Sequence, residues 1–132
     1  MERSIPVKEA VDIYIKGQKM EKSFTKRRIQ LNNGWIPDWS NVNQPKYYLS
    51  VTNDKNFCVK VEYKENSLPL FGYFKDLETI EYFIEQYSYQ LEWFFFEYME
   101  WRIFLTLLMQ RIKKYERFEI YYSTNKRNRS TC

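Results

Sequence analysis

Neither glycine nor proline occurs after Gly72 in this chain of 132 residues, so its last 60 positions hold no strong backbone breaker. Across that stretch Leu77, Ile80, Ile84, Tyr87, Leu91, Phe94, Tyr98, Trp101, Leu105, Leu108 and Ile112 recur at alternating spacings of three and four, the a/d pattern of five consecutive heptads. The spacing predicts a long helix over residues 77–114. At ~1.5 Å per residue one rod of that length extends roughly 57 Å, more than a domain of this size is wide. Two arrangements answer that length: a projecting helix that pairs with another subunit, or a helical hairpin that turns near residues 88–90.

Apolar side chains also lie off the seam: Phe83, Trp93, Phe95, Phe96, Met99, Ile103, Phe104, Leu107 and Met109. A helix apolar on nearly every side exceeds what a small sheet covers, which predicts self-association or a partner groove. Leu91, Phe94, Phe95, Tyr98, Trp101, Leu105 and Leu108 are the expected oligomer interface. The plainer alternative is a core helix packed on the sheet of its own chain.

The first half of the chain differs in style, with all three glycines and all four prolines. Val7, Ala10, Val11, Tyr14 and Ile15 predict a short amphipathic helix over residues 5–16, with Ser4 as cap, Pro6 in the first turn and Gly17 as the stop. Asn32-Asn33-Gly34 marks a turn, and the stretch from 35 to 45 has the composition of a loop that carries Trp35 and Trp39. Residues 46–52 and 57–63 are β-branched and aromatic, with Asn53-Asp54-Lys55-Asn56 between them, which predicts a hairpin. Residues 69–74 add a third short strand and residues 117–122 a fourth. Asp76 has the position of a helix N-cap, with Glu78 and Glu81 in the first turns where they complement the helix dipole. The fold class is therefore α+β: an N-terminal helix, a small antiparallel sheet of three to four strands, and a long C-terminal heptad-patterned helix or helical hairpin. Residues 1–124 form one domain with an oligomerising helix at 77–114, and residues 125–132 form a basic flexible tail.

Charge is segregated. Residues 1–30 carry eight basic and four acidic side chains, residues 76–101 none and seven, and residues 102–132 eight and two. Glu78, Glu81, Glu85 and Glu92 have helical spacings and predict an acidic face, which either is simply solvated or presents carboxylates to a Lys/Arg-lined partner surface in place of phosphates. Lys26-Arg27-Arg28 and Lys126, Arg127 and Arg129, with Trp35 and Trp39, form the competing candidate: a nucleic-acid surface of cations and stacking planes. Solubilising charge and core aromatics explain the same residues without a ligand.

The chain has no histidine, which excludes Ser-His and Cys-His nucleophile pairs, His-ligated zinc and imidazole acid/base work. No DxD, HExxH, GxxxxGK[ST] or GxSxG arrangement is present. Cys58 lies in an apolar alternation, as a small hydrophobe would, and its spacing to Cys132 makes neither a CxxC pair nor a disulfide framework. Neither a catalytic residue, nor a metal site, nor a cofactor is expected. No run is long and uncharged enough to span a membrane, and a cytoplasmic location is expected.

Ile5-Pro6-Val7-Lys8-Glu9-Ala10 followed by Ile15-Lys16-Gly17, then Trp35-Ile36-Pro37, Lys46-Tyr47-Tyr48 and Gly72-Tyr73-Phe74-Lys75-Asp76 leading into an acidic helix, resembles small accessory proteins of phages and prophages of Firmicutes. The likeness covers about residues 5–90 and carries over no functional residue. It implies an accessory product in the cytoplasm of an infected bacterium, within a group that includes anti-CRISPR inhibitors. The expectation is a non-enzymatic protein that binds a bacterial defence protein or ribonucleoprotein complex and occludes a functional surface. The alternatives are a nucleic-acid or nucleotide binder that uses the basic ends, and a structural helical homo-oligomer.

Overall fold

A computed structural model of the chain describes residues 6–115. It is an α+β domain: helix α1 (Val7–Asn32), strands β1 (Lys46–Val51) and β2 (Phe57–Glu62), helices α2 (Leu77–Gln86) and α3 (Ser88–Trp93), a π-helical turn (Phe94–Tyr98), and helix α4 (Met99–Tyr115).

The N-terminal helix is longer than its apolar spacing predicts, because Gly17 does not stop it. Its 26 residues extend about 39 Å. It ends where Asn33 adopts a left-handed conformation (φ 47°, ψ 53°) and its N–H donates to the Gln30 carbonyl at 3.1 Å. The Asn32-Asn33-Gly34 turn is thus the C-terminus of α1. Gly17 sits inside the helix as a contact point: a Cβ there would fall within the ring of Tyr98. Gln18 donates to the Tyr98 hydroxyl at 2.6 Å, and one end of α1 brings Phe24 against Phe94 at 5.8 Å between ring centres. As residue numbers rise on α1 they fall on its partner, so the two run antiparallel.

Phe24 is the hub of the core. Its ring meets Phe71, Phe83, Tyr87 and Phe94 edge-on at 5.0–5.9 Å, a geometry that adds roughly 0.5–1.5 kcal/mol per pair to the burial itself. Ala10, Leu49, Phe74, Ile80, Leu91, Tyr98, Trp101 and Leu105 complete the buried cluster.

The hairpin forms as expected, antiparallel with Lys46 opposite Glu62 and Val51 opposite Phe57. Lys55 takes the left-handed position of its turn (φ 63°). Among the described residues the sheet has two strands, not three or four. The stretch 69–74 contributes one bridge, Tyr47 to Phe74; its Phe71 and Tyr73 carbonyls accept instead from Arg28 and Asn32 of α1, each at 2.8 Å, and the Gly72 N–H turns back to the Pro69 carbonyl at 3.2 Å. The expected strand at 117–122 and the basic tail at 125–132 lie outside the described residues.

The long C-terminal helix is not one continuous rod but is interrupted twice. Tyr87 leaves helical geometry (φ −113°, ψ 22°) between α2 and α3. Seven residues later the helix widens, and the Met99 N–H reaches back five positions to the Phe94 carbonyl. The widened turn lets three consecutive phenylalanines serve different neighbours. Phe94 faces Phe24 and Phe71, Phe95 reaches Phe71 and Phe57, and Phe96 stacks on Phe57 at 5.5 Å. Those Phe57 contacts hold the hairpin against the helices, joined by Lys55, which lies 3.5 Å from the Glu100 carboxylate.

Candidate interaction surfaces

The acidic face starts from a well-made helix terminus. The Asp76 carboxylate accepts from the Thr79 N–H at 2.7 Å, and this bonding to Thr79 holds Asp76 below the usual carboxylate range. Glu78, Glu81 and Glu85 follow on α2, all exposed, and no described cation pairs with them. Helical spacing sets Tyr82 among them, one turn after Glu78 and one turn before Glu85, and 49% of it is exposed. An aromatic side chain ringed by carboxylates has the anatomy of an interface anchor. Reading for charge alone overlooks Tyr82, although its spacing to the three glutamates is visible in the sequence. Glu92 is exposed too, but it stands on α3, beyond the break at Tyr87, so the four glutamates do not follow one helix.

The basic candidates are largely spent on the fold. Arg28 donates from Nε to the Phe71 carbonyl at 2.8 Å, and its guanidinium occupies the space beside Gly72 (φ 85°) that a side chain there would need. Burial pulls its pKa below the usual arginine value. Arg27 reaches Gln30 and Gln86 at 3.3 and 3.5 Å. Lys26 is exposed. Trp39 packs edge-on against Tyr73 at 5.0 Å and beneath the Lys46 ammonium at 4.7 Å, and Trp35 is half-buried. Two cations, Lys26 and Arg27, and no free pair of stacking planes remain of that candidate among the described residues. Lys126, Arg127 and Arg129 lie outside them.

Against Trp39 lies a polar knot. Lys46 is wholly buried, and its ammonium donates to the carbonyls of Asn41 and Tyr63 at 3.0 and 3.4 Å. Beside it Tyr73 donates to the Glu62 carboxylate at 2.7 Å and Ser67 donates to the other carboxylate oxygen at 2.5 Å. Burial first, then the Glu62 bond and charge, raise the Tyr73 pKa far above the ordinary phenol range. Cys58, on β2, is half-buried and disulfide-bonded, not the free small hydrophobe its apolar alternation predicts.

The expected oligomer interface is instead the interior of a single chain. Leu91, Phe94, Tyr98 and Leu105 have no exposed surface, and Trp101 has little. The reason is α1, which runs antiparallel along the stripe and covers it. Phe95 and Leu108 pack half-buried against the same core. What stays open on α4 is Ile103 at 73% exposure, with Phe104 and Leu107 about half exposed.

Among the described residues no three His, Cys, Asp or Glu side chains gather closely enough to hold a metal ion, and no helix is long and apolar enough to cross a membrane. No protein-family model, curated protein or solved structure matches the chain.

Proposed function

We propose that this chain is a non-enzymatic binding protein that presents the α2 ridge, Tyr82 flanked by Glu78, Glu81 and Glu85, to a Lys/Arg-lined surface that otherwise holds phosphates. The observation that carries the reading is an exposed aromatic side chain inside a patch of carboxylates that no described cation neutralises. A ridge of this kind occludes a nucleic-acid channel because carboxylates accept the same charge-assisted hydrogen bonds as phosphates, while the tyrosine supplies desolvated contact area. The likeness of residues 5–90 to phage and prophage accessory proteins suggests the target, a bacterial defence protein or ribonucleoprotein complex in the cytoplasm of an infected host. The basic run contributes less to this reading than to the fold, since Arg28 is committed to Phe71.

The test is capture of partners from a bacterial lysate by the tagged chain, with nuclease treatment, beside the variant Glu78→Lys/Glu81→Lys/Glu85→Lys. A defence nuclease or guide complex retained after nuclease treatment and lost with the variant is the expected result. The variant should stay folded, with a loss of at most about 2 kcal/mol, because the three positions are exposed and the cost is that of opposing the helix dipole at Glu78 and Glu81. Recovery of nucleic acid alone, or a partner held equally by the variant, overturns the reading.

A further inference from the structure

Between α1 and the α2–α3 junction an open groove of about 520 Å³ crosses the surface. Its apolar lining comes from Ile15, Met20, Phe24 and Tyr87, and Lys16 and Lys19 stand along it on α1. Neither lysine is ion-paired among the described residues. Lys16 is steered by Trp93, whose ring centre lies 4.1 Å from its ammonium. A cleft of this size takes several side chains of a partner. Its chemistry asks for an occupant with an apolar or aromatic knob and closely spaced negative charges.

The chain itself carries that occupant. On the α2 ridge Glu81 and Glu85 rise one turn apart, about 6 Å along the helix, and Lys16 and Lys19 rise about 4.5 Å apart on α1. Tyr82 stands beside Glu85, three positions on along the same face. Asp12, one turn before Lys16, also lines the groove, and its like charge confines the attraction for anions to the span of the two lysines. That span suits two carboxylates better than a continuous phosphate backbone.

We propose that the α1 groove receives the α2 ridge of a second copy of this chain, with Tyr82 against Ile15, Met20 and Tyr87 and with Glu81 and Glu85 along Lys16 and Lys19. The proposal rests on the reading of the ridge as a contact surface and adds a consequence: self-association covers the surface offered to the partner, so pairing and partner binding compete. It also moves the homo-oligomer contact from the heptad stripe, which α1 fills, to a surface that is open.

The experiment is sedimentation velocity on the full chain across a wide concentration range, with a charge exchange. The parent should associate as concentration rises, and less so as salt rises. Lys16→Glu/Lys19→Glu and Glu78→Lys/Glu81→Lys/Glu85→Lys should each weaken association by on the order of a hundredfold. An equimolar mixture of the two should associate again, because each reversed groove then meets a reversed ridge. Circular dichroism of each variant checks that it is folded, and the salt dependence of the parent stands independently of both. A parent that stays monomeric, association that survives either reversal, or a mixture that fails to recover overturns the proposal. So does a monomeric chain whose Lys16 and Lys19 bind a single-stranded oligonucleotide. The measurement uses the chain alone, so its failure leaves lysate capture by the ridge untouched, and loss of capture leaves the pairing result untouched.

Discussion

The ring of Tyr98 lies on the backbone of Gly17, in the space that a side chain at position 17 would fill. The helix gains no propensity from that glycine. Alanine is favoured over glycine in a helix interior by about 1 kcal/mol, and the site forgoes this so that α1 and the π-helical turn can close.

Gly17→Ala therefore destabilises despite the better helix former. Overpacking a filled site costs about 1–3 kcal/mol, and Tyr98 cannot yield easily, being stacked on Trp93 and bonded to Gln18. The net loss should be about 1–2 kcal/mol in urea unfolding. In a Tyr98→Leu background, where the ring is gone, the same substitution should stabilise. An unchanged sign between the two backgrounds would refute the contact.

Leu105→Ala tests whether the stripe is core or interface. With no exposed surface and α1 across it, Leu105 should cost about 2–5 kcal/mol on truncation. The cost should be the same at every protein concentration at which the chain is monomeric. A loss that vanishes on dilution would return the stripe to a subunit interface.

The stripe also shows what a sequence can and cannot disclose. Its apolar spacing was legible, as were the hairpin and the Asp76 cap, since each depends on residues within a few positions of one another. Its covering partner was not, because Gln18 and Tyr98 are 80 positions apart and nothing local marks the pairing. Gly17 looked like a stop for the same reason: the ring that requires a glycine there arrives from the far half of the chain. Arg28 looked like part of a free basic run because its acceptor, the Phe71 carbonyl, is a backbone atom that no side-chain pattern reveals. Of the candidate surface, the three glutamates are legible from their helical spacing, whereas the exposure of Tyr82 beside them depends on what the other elements leave uncovered.

Asp76→Ala should cost about 0.5–2 kcal/mol at neutral pH, the usual worth of such a cap. Bonding to Thr79 depresses the folded pKa of Asp76, so its contribution is present above the unfolded value of about 3.9 and is lost as pH falls through the folded value. Paired urea titrations at neutral and strongly acidic pH should show the two proteins converge in acid. A gap that persists when the carboxyl is protonated would count against the cap.

Alkaline unfolding should depend on Tyr73. Its phenol keeps its proton in the folded chain well above the ordinary value of 10.0, whereas the unfolded chain releases it there. Above that pH the unfolded state binds fewer protons, so stability falls as pH rises. Tyr73→Phe should be weaker at neutral pH by about 1–3 kcal/mol, because the Glu62 and Ser67 acceptors lose their donor. Its urea midpoint should then decline less steeply than the parent's above about pH 10. Parallel slopes would place the alkaline loss on other tyrosines.

Tyr82→Ala should leave unfolding within about 0.5 kcal/mol of the parent while it weakens partner capture and self-association by about tenfold or more, as loss of an interface anchor does. Equal capture by parent and variant would reduce the ridge to its charges.

The tethering of α1 to the chain's second half sets an order of events during synthesis. Arg28 waits for Phe71, Asn32 for Tyr73, and Gln18 for Tyr98, so α1 leaves the ribosome well before the segments that hold it. Until residues beyond Leu105 have followed, the apolar side of a helix of 26 residues stands open to other chains. Its seven lysines and arginines, from Lys8 to Arg28, outnumber Glu9, Asp12 and Glu21, and a helix of net positive charge opposes contact between nascent copies through that interval.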